Sequence, residues 1–128
     1  MACRFTELVI DCHDHDLVGR FWQEVLGYQV TGRSDGPEDY SVELTGPPGS
    51  GPRIIVGRVP DEKVAKSPVH IDVNATDRDQ DAEVERILAL GATLADIGQG
   101  DDVPWVVLAD PAGNEFCVLR SRVDPLGD

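Results

Sequence analysis

The sequence predicts an α+β fold built from two tandem strand-helix-strand-strand-strand (βαβββ) modules. Residues 7–14 align with residues 70–77 without a gap, at an offset of 63 residues. In both copies apolar residues alternate with polar ones, a pattern typical of a half-buried strand that runs into an Asp-rich turn. A stretch of helical periodicity follows each copy and ends at Gly27 in the first and Gly91 in the second. The repetition predicts polar residues from both copies around a shared cavity.

The first module, about residues 4–59, begins with a predicted strand over residues 4–12. A helix is predicted over residues 16–26, where apolar residues recur every fourth position and Asp14 or Asp16 can cap the start. The remaining predictions for this module are a strand beginning at residues 28–30, a polar turn over 34–39, a strand over 40–44, a hairpin loop over 47–51 and a strand over 53–59.

A polar linker, residues 60–68, separates the first module from the second, which covers about residues 69–122. The repeated order predicts strands over 69–75, 92–96, 105–109 and 115–119, a helix over 79–90, a mobile loop over 98–103 and a turn over 110–114. A chain of 128 residues is expected to form a single domain, residues 1–128.

The composition narrows the class of protein. The formal net charge is −13, which repels phosphate backbones and anionic membrane surfaces, so nucleic acid and membranes are not expected partners. No apolar run is long enough to span a bilayer and no signal sequence is recognised, so a cytoplasmic location is expected. The three cysteines, Cys3, Cys12 and Cys117, have no CxxC spacing and indicate neither a disulfide framework nor a zinc knuckle.

Several short motifs in this order resemble the vicinal oxygen chelate superfamily of glyoxalase I, extradiol dioxygenases, fosfomycin resistance enzymes and bleomycin resistance proteins. They are Phe21-Trp22, Leu26-Gly27 and the late hairpin Asp110-Pro111-x-Gly113-Asn114. The segments 9–12, 58–60 and 69–72 are most similar to small glyoxalase-like proteins of actinobacterial type. The resemblance implies a curved, barrel-like mixed sheet around a cavity, metal ligands from the first and last strand of each module, and a homodimer.

Strand alternation directs Glu7, Val9 and Asp11 towards the predicted cavity, together with His70 and Asp72 of the second copy. The four ligand positions that the resemblance implies then fall on Glu7, Ile55, His70 and Cys117, with Val56 replacing Ile55 if the register slips by one. Isoleucine cannot bind a metal, and Cys117 stands where the related metal enzymes carry a carboxylate. Hard octahedral metals are therefore disfavoured.

Two interpretations of these positions follow. In the first, the domain has no cofactor, and Glu7, His70 and Cys117 line a pocket that has lost its metal. In the second, the same three residues bind zinc, since carboxylate, imidazole and thiolate are all zinc ligands and the fourth position stays open. Without a metal, Glu7 and His70 are a predicted catalytic pair, because a carboxylate beside an imidazole favours the imidazolium.

The leading functional prediction is a glyoxalase-like or bleomycin-resistance-like protein that holds a small organic molecule in the cavity. The predicted ligand-binding residues are Val9, Asp11, Tyr40, Ile55, Asp72, Trp105, Val107 and Cys117. The alternative is a metal-dependent lyase or isomerase that acts next to a carbonyl, with Asp11 or Asp72 moving the proton. A non-catalytic dimerisation module is a third possibility. The segment 12–16, Cys-His-Asp-His-Asp, is interpreted as a capped turn with exposed histidines.

Overall fold

The computed structural model describes residues 2–96 and 103–126. The chain divides into two compact units, one ending at Asp61 and the other covering Glu62–Pro125. The division falls inside the predicted linker 60–68. Each unit contains one βαβββ module and one four-stranded mixed sheet, so the predicted fold class is confirmed.

The first module has its strands in the order β1-β4-β3-β2. Strand β1 pairs parallel to β4, and the other neighbours are antiparallel. Helix α1 packs against β3 and β4. The elements are β1 (Glu7–Cys12), α1 (His15–Leu26), β2 (Gln29–Gly36), β3 (Asp39–Thr45) and β4 (Arg53–Arg58).

The ends of α1 follow from local sequence. Asp14 is the N-cap, and its carboxylate accepts a hydrogen bond from the Leu17 N–H at 3.1 Å. Gly27 closes the helix at φ 69°, a left-handed conformation that glycine adopts without steric cost. The apolar face of α1 is buried through Phe21 and Trp22, whose rings meet edge to face at 5.3 Å.

Strand β2 is longer than predicted, and the polar turn predicted over residues 34–39 was wrong in its extent. Ser34 pairs with Ser41 and Asp35 with Tyr40 in the antiparallel ladder, so the strand continues to Gly36. Strand β2 lies at the edge of the sheet, where polar side chains are tolerated. The turn itself is confined to residues 37–38.

The second module has its strands in the order β5-β8-β7-β6, with β5 parallel to β8. Its strands are shorter than predicted, because only Ile71–Val73 pair with β8 and only two residues of β6 pair with β7. Residues 97–102, most of the predicted mobile loop, lie outside the described residues. The elements are β5 (Ile71–Val73), α2 (Gln80–Ala89), β6 (Thr93–Leu94), β7 (Val106–Ala109) and β8 (Glu115–Val118).

The predicted alternation of the first strand of each module is confirmed. Ile10 and Cys12 are buried, whereas Glu7, Val9 and Asp11 are exposed. Fully buried side chains fill the core of each module. They include Val18, Trp22, Leu44 and Val56 in the first, and Ile87, Val107, Leu108, Phe116 and Val118 in the second. Within the described residues, no helix combines the length and the apolar character that a membrane span needs.

Candidate functional site

Three side chains of different chemistry come together on the sheet of the second module. Asp72 in β5 and Cys117 in β8 are direct partners in the parallel ladder, so their side chains lie side by side on one face. His70 lies two residues before Asp72, and its Nε2 is 3.2 Å from Asp72 Oδ1. One possible ligand atom of each residue lies within 4.8 Å of the others. We call His70, Asp72 and Cys117 the module-two cluster.

The members of the cluster differ in exposure. The side chains of His70 and Asp72 are 41% and 46% exposed, whereas Cys117 is 5% exposed. Burial, the negative charge of Asp72 and a hydrogen bond to Asp72 all raise the pKa of the Cys117 thiol. Cys117 is therefore held as a thiol, which is a poor nucleophile until a cation lowers its pKa.

The donor set of the module-two cluster suits zinc. An imidazole nitrogen, a carboxylate oxygen and a sulfur are the three zinc ligand types, and three protein ligands leave a fourth position for a substrate or water. A thiol is a poor ligand for the hard ions Mg²⁺ and Mn²⁺. Zinc binding would require loss of the Cys117 proton, so the affinity for the metal should rise with pH.

Glu7, predicted as a metal ligand with His70 and Cys117, takes part in an ion-pair network of the first module. Its Oε1 accepts a hydrogen bond from Arg53 Nη2 at 2.7 Å, and Arg53 also reaches Glu43 at 3.3 Å. Arg53 is the residue directly opposite Glu7 in β4. The carboxylate that lies beside His70 in the described structure is Asp72, which the sequence placed among the ligand-binding residues.

The other predicted ligand-binding residues are divided between the strands of the first module and those of the second. Val9 and Ile55 are partners across β1 and β4; Val9 is 58% exposed. Asp11, on the same strand face as Val9, is exposed opposite Gly57. Val107 is buried beside Cys117 in the antiparallel ladder, and Trp105, 38% exposed, immediately precedes β7.

Tyr40 lines a recess of about 530 Å³ at one end of the first module. This end recess lies where β1 and β4 end and where β2 turns into β3. Its lining residues are His13, Pro37, Glu38, Asp39, Tyr40, Arg58, Val59 and Pro60. Of these, the sequence identified only Tyr40 as a binding residue.

The two histidines of segment 12–16 differ in their exposure to solvent. His13 is exposed as predicted, and its Nε2 donates to the Asp61 carbonyl at 2.8 Å. The prediction that His15 is exposed was wrong, since only 6% of the residue is accessible. His15 is buried because it begins α1 facing the sheet, where its ring lies 5.9 Å from that of Tyr40 and its Nε2 lies 3.3 Å from Asp35.

Comparison with known proteins gives a match over most of the chain. Residues 7–119 match the family model of a glyoxalase-like domain. Among curated protein sequences, none matches this chain.

Solved structures of low sequence identity share the fold. A mutant form of the fosfomycin resistance protein FosX from Listeria monocytogenes, complexed with Mn(II) and 1S,2S-dihydroxypropylphosphonic acid, is 15% identical, with a TM-score of 0.74 over 96% of each chain. A glyoxalase/bleomycin resistance protein/dioxygenase family enzyme from Burkholderia phytofirmans PsJN is 20% identical, with a TM-score of 0.68 over 88% of this chain and 94% of that one. A trypanothione-dependent glyoxalase I from Leishmania major is 19% identical, with a TM-score of 0.65 over 93% and 87% of the two chains.

Proposed function

The chain belongs to the glyoxalase-like domain family, within the vicinal oxygen chelate superfamily, and we propose that it holds a small organic molecule at the module-two cluster. The observation that supports this proposal is the convergence of His70, Asp72 and Cys117 from the paired strands β5 and β8. Small-molecule sites combine an apolar surface with a few converging polar groups. In the cluster, the half-exposed polar side chains of His70 and Asp72 lie beside the buried side chains of Cys117 and Val107.

The polar groups of the cluster indicate what part of a ligand they would contact. Asp72 lies 3.2 Å from His70 Nε2, and a carboxylate at this distance orients the imidazole ring. A ring N–H of His70 can donate a hydrogen bond to a carbonyl or an anionic oxygen of a ligand. Cys117, held as a thiol, would pack against the ligand instead of attacking it. Glu7, the catalytic partner predicted for His70 from the sequence, remains a prediction.

Ligand screening by thermal shift and tryptophan fluorescence tests this proposal. The panel should contain small aldehydes, 2-oxo acids, aromatic carboxylates and the dihydroxypropylphosphonic acid that FosX holds. Trp105 is accessible and Trp22 is 1% exposed, so a fluorescence change that Trp105→Phe removes would report binding in the second module. We expect at least one compound to stabilise the protein, and His70→Ala and Asp72→Asn to weaken that compound by about tenfold.

Asp124→Asn is the matched control for Asp72→Asn, because Asp124 is an exposed carboxylate of the same unit that lies outside the cluster. Equal losses of ligand affinity in Asp72→Asn and Asp124→Asn would show that the effect comes from the overall charge of the protein. A ligand whose affinity is unchanged in His70→Ala and Asp72→Asn would contradict the proposed location.

A metal-dependent lyase or isomerase is the second candidate function, and the donor set of the module-two cluster favours it. His70, Asp72 and Cys117 would hold the ion, and the role of Glu7 as a metal ligand stays a prediction from the sequence. A bound zinc ion would polarise a substrate oxygen next to a carbonyl. The role of Asp11 in moving the proton likewise stays a prediction from the sequence.

Elemental analysis of untagged protein purified without chelator distinguishes the two candidates. Near-stoichiometric zinc that is lost in both His70→Ala and Cys117→Ser, but kept in Cys3→Ser, would support the metal-dependent function. Cys3 is a suitable control because it is an exposed free thiol. Metal that persists in His70→Ala would contradict it, and a folded, metal-free protein that binds a compound of the panel would support the first candidate.

A homodimer in the cytoplasm is the assembly and location that we expect. Light scattering coupled to size-exclusion chromatography should then give twice the 13.9 kDa chain mass. A mass of one chain across the micromolar range would contradict the dimer. A small organic molecule is the proposed partner, and binding to nucleic acid or lipid vesicles is not expected at a net charge of −13.

A further inference from the structure

The end recess of the first module has the properties of a ligand site and takes no part in the function proposed for the second module. Its volume of about 530 Å³ falls within the usual range for small-molecule pockets, ~300–1,000 Å³. The recess brings residues of opposite charge together, because its lining residues include Arg58, Glu38 and Asp39.

Arg58 supplies the positive charge of the recess. Its Cζ lies 3.9 Å from the centre of the Tyr40 ring, a cation–π stacking distance. Within the described part of the chain, Arg58 forms no ion pair with a carboxylate, unlike Arg33 and Arg53. Its hydrogen-bonding edge can therefore bind an anionic group while its face stays on Tyr40.

The wall behind Arg58 is held in place by several contacts. The Tyr40 ring lies 5.9 Å from that of buried His15, which is itself anchored to Asp35 at 3.3 Å. The Val59 N–H donates to the Cys12 carbonyl at 2.8 Å, which joins the ends of β4 and β1. A site fixed before binding loses little conformational freedom when the ligand arrives.

Glu38 and Asp39 supply the negative charge. Asp39 is positioned by its neighbours: its carbonyl accepts from Ser34 Oγ at 2.9 Å, and its carboxylate lies 3.3 Å from Ser41 Oγ. One guanidinium and two carboxylates give the recess a formal charge of −1. A molecule with one carboxylate and two ammonium groups would balance this charge.

We propose that the end recess binds a zwitterionic molecule of the amino-acid class, with its carboxylate at Arg58 and its ammonium groups at Glu38 and Asp39. The carboxylate is the part of this ligand that distinguishes specific binding at the recess from general attraction to the protein. A protein with a net charge of −13 attracts amines without specificity and repels carboxylates, so a gain in affinity from adding a carboxylate requires a local cation.

Calorimetric titration with two matched probes tests the proposal. L-lysine has one carboxylate and two ammonium groups, and 1,5-diaminopentane is the same molecule without the carboxylate. At fixed ionic strength we expect L-lysine to bind about tenfold more tightly, since its carboxylate adds a charge-assisted hydrogen bond to Arg58. In Arg58→Gln the two probes should bind equally. In Glu38→Gln both should weaken while their ratio is kept.

Controls separate this site from general charge effects and from the module-two cluster. Arg20→Gln removes an exposed arginine of α1 that does not line the recess and should leave the ratio of affinities unchanged. His70→Ala should also leave it unchanged, so that this proposal can fail or succeed independently of the proposed function. Equal binding of the two probes to the unmodified protein, no binding of L-lysine in the millimolar range, or a preference that survives Arg58→Gln would overturn the proposal.

Discussion

Glu115, at the start of β8, is ionised although it is mostly covered by the second module. Its side chain is 14% exposed, and burial by itself would raise its pKa. The Ser67 N–H donates to Oε1 at 3.0 Å and Lys63 Nζ lies 3.0 Å from Oε2. Together these contacts outweigh burial and lower the pKa of Glu115 from 4.5 to about 2.

The lowered pKa predicts a dependence of stability on pH. The contribution of ionised Glu115 is complete above pH 4.5 and is lost as the pH falls towards 2. At pH 7 we expect Glu115→Gln to lower the free energy of unfolding by about 1–2 kcal/mol, with the difference from the unmodified protein disappearing near pH 2. Urea unfolding across this range measures it. Glu85→Gln, an exposed change on α2, should show no such dependence on pH. If the stability difference between Glu115→Gln and the unmodified protein did not change with pH, the lowered pKa of Glu115 would be contradicted.

Gly46 is a second residue whose role can be tested. A Cβ added there would lie 2.5 Å from Tyr28 Cε1, 2.5 Å from Ser50 Oγ and 2.8 Å from Ser50 Cβ. Because the Tyr28 hydroxyl also donates to the Ser50 carbonyl at 3.2 Å, the ring and the loop would have to move together. We expect Gly46→Ala to destabilise the protein by ~1–3 kcal/mol, as overpacking does.

Gly57→Ala is the matched control for Gly46→Ala, because no atom lies within 4 Å of a Cβ built at Gly57. Thermal unfolding of both variants gives the comparison, and equal midpoints would show that the loop accommodates the methyl group. The sequence predicts a loop over residues 47–51 but cannot rank its glycines. The tight contact at Gly46 depends on Tyr28, a residue 18 positions earlier in the chain.

At the scale of an element, the hairpin between β7 and β8 depends on one buried carboxylate. Asp110 is 3% exposed, and its Oδ1 accepts from the N–H groups of Ala112 and Asn114, each at 2.9 Å. We expect Asp110→Ala to lower the free energy of unfolding by ~2–4 kcal/mol, because it leaves buried N–H groups without acceptors. Asp110→Asn keeps an acceptor oxygen and should lower the free energy of unfolding by no more than half as much. Chemical denaturation measures the free energy of unfolding of both variants. Equal losses of stability would show that the negative charge of Asp110, and not its hydrogen bonds in the turn, stabilises the hairpin.

The element scale also shows what the sequence can predict. Alternation assigned Ile10 and Cys12 to the core and Glu7, Val9 and Asp11 to the opposite face correctly, since period-two patterns follow directly from strand geometry. The end of β2 was not predictable from its residues. Ser34 and Asp35 are turn-forming types, and their place in a strand is fixed by pairing with Ser41 and Tyr40 across the ladder.

The candidate site was predictable only in part for the same reason. His70, Asp72 and Cys117 were each named from the sequence, but the order of strands in the sheet decides which of them meet. The pairing of Asp72 with Cys117 requires β5 to lie parallel to β8, a contact between residues 45 positions apart. Arg58 was not among the candidate residues from the sequence, because its stacking on Tyr40 depends on the pairing of β3 with β4.

At the scale of the whole molecule, charge is the dominant global property. Asp and Glu number 24 against 11 Lys and Arg, so the folded chain repels itself. Added salt screens this repulsion but also weakens exposed ion pairs such as that of Arg33 with Asp35, which contribute little to stability in solvent.

Because the charge excess outweighs these pairs, we expect the thermal midpoint at pH 7 to rise by ~2–5 °C between low and moderate sodium chloride. The rise should be the same in potassium chloride and should shrink as the pH approaches the pI of about 4.4. Differential scanning calorimetry measures it. A midpoint that falls with salt would mean that the surface ion pairs contribute more than the net repulsion removes.

The parallel strand pairs of the two modules correspond position by position, at an offset of 63 residues between β1 and β5 and of 62 residues between β4 and β8. Glu7, Val9 and Ile55 hold in the first module the places that His70, Asp72 and Cys117 hold in the second, and Val9 faces Ile55 as Asp72 faces Cys117. The first module thus carries hydrocarbon side chains at Val9 and Ile55 where the second carries the carboxylate of Asp72 and the thiol of Cys117. The first module could therefore be engineered to carry a second copy of the module-two cluster. The three substitutions Glu7→His, Val9→Asp and Ile55→Cys would place the same side chains on a strand pair that already has the same register.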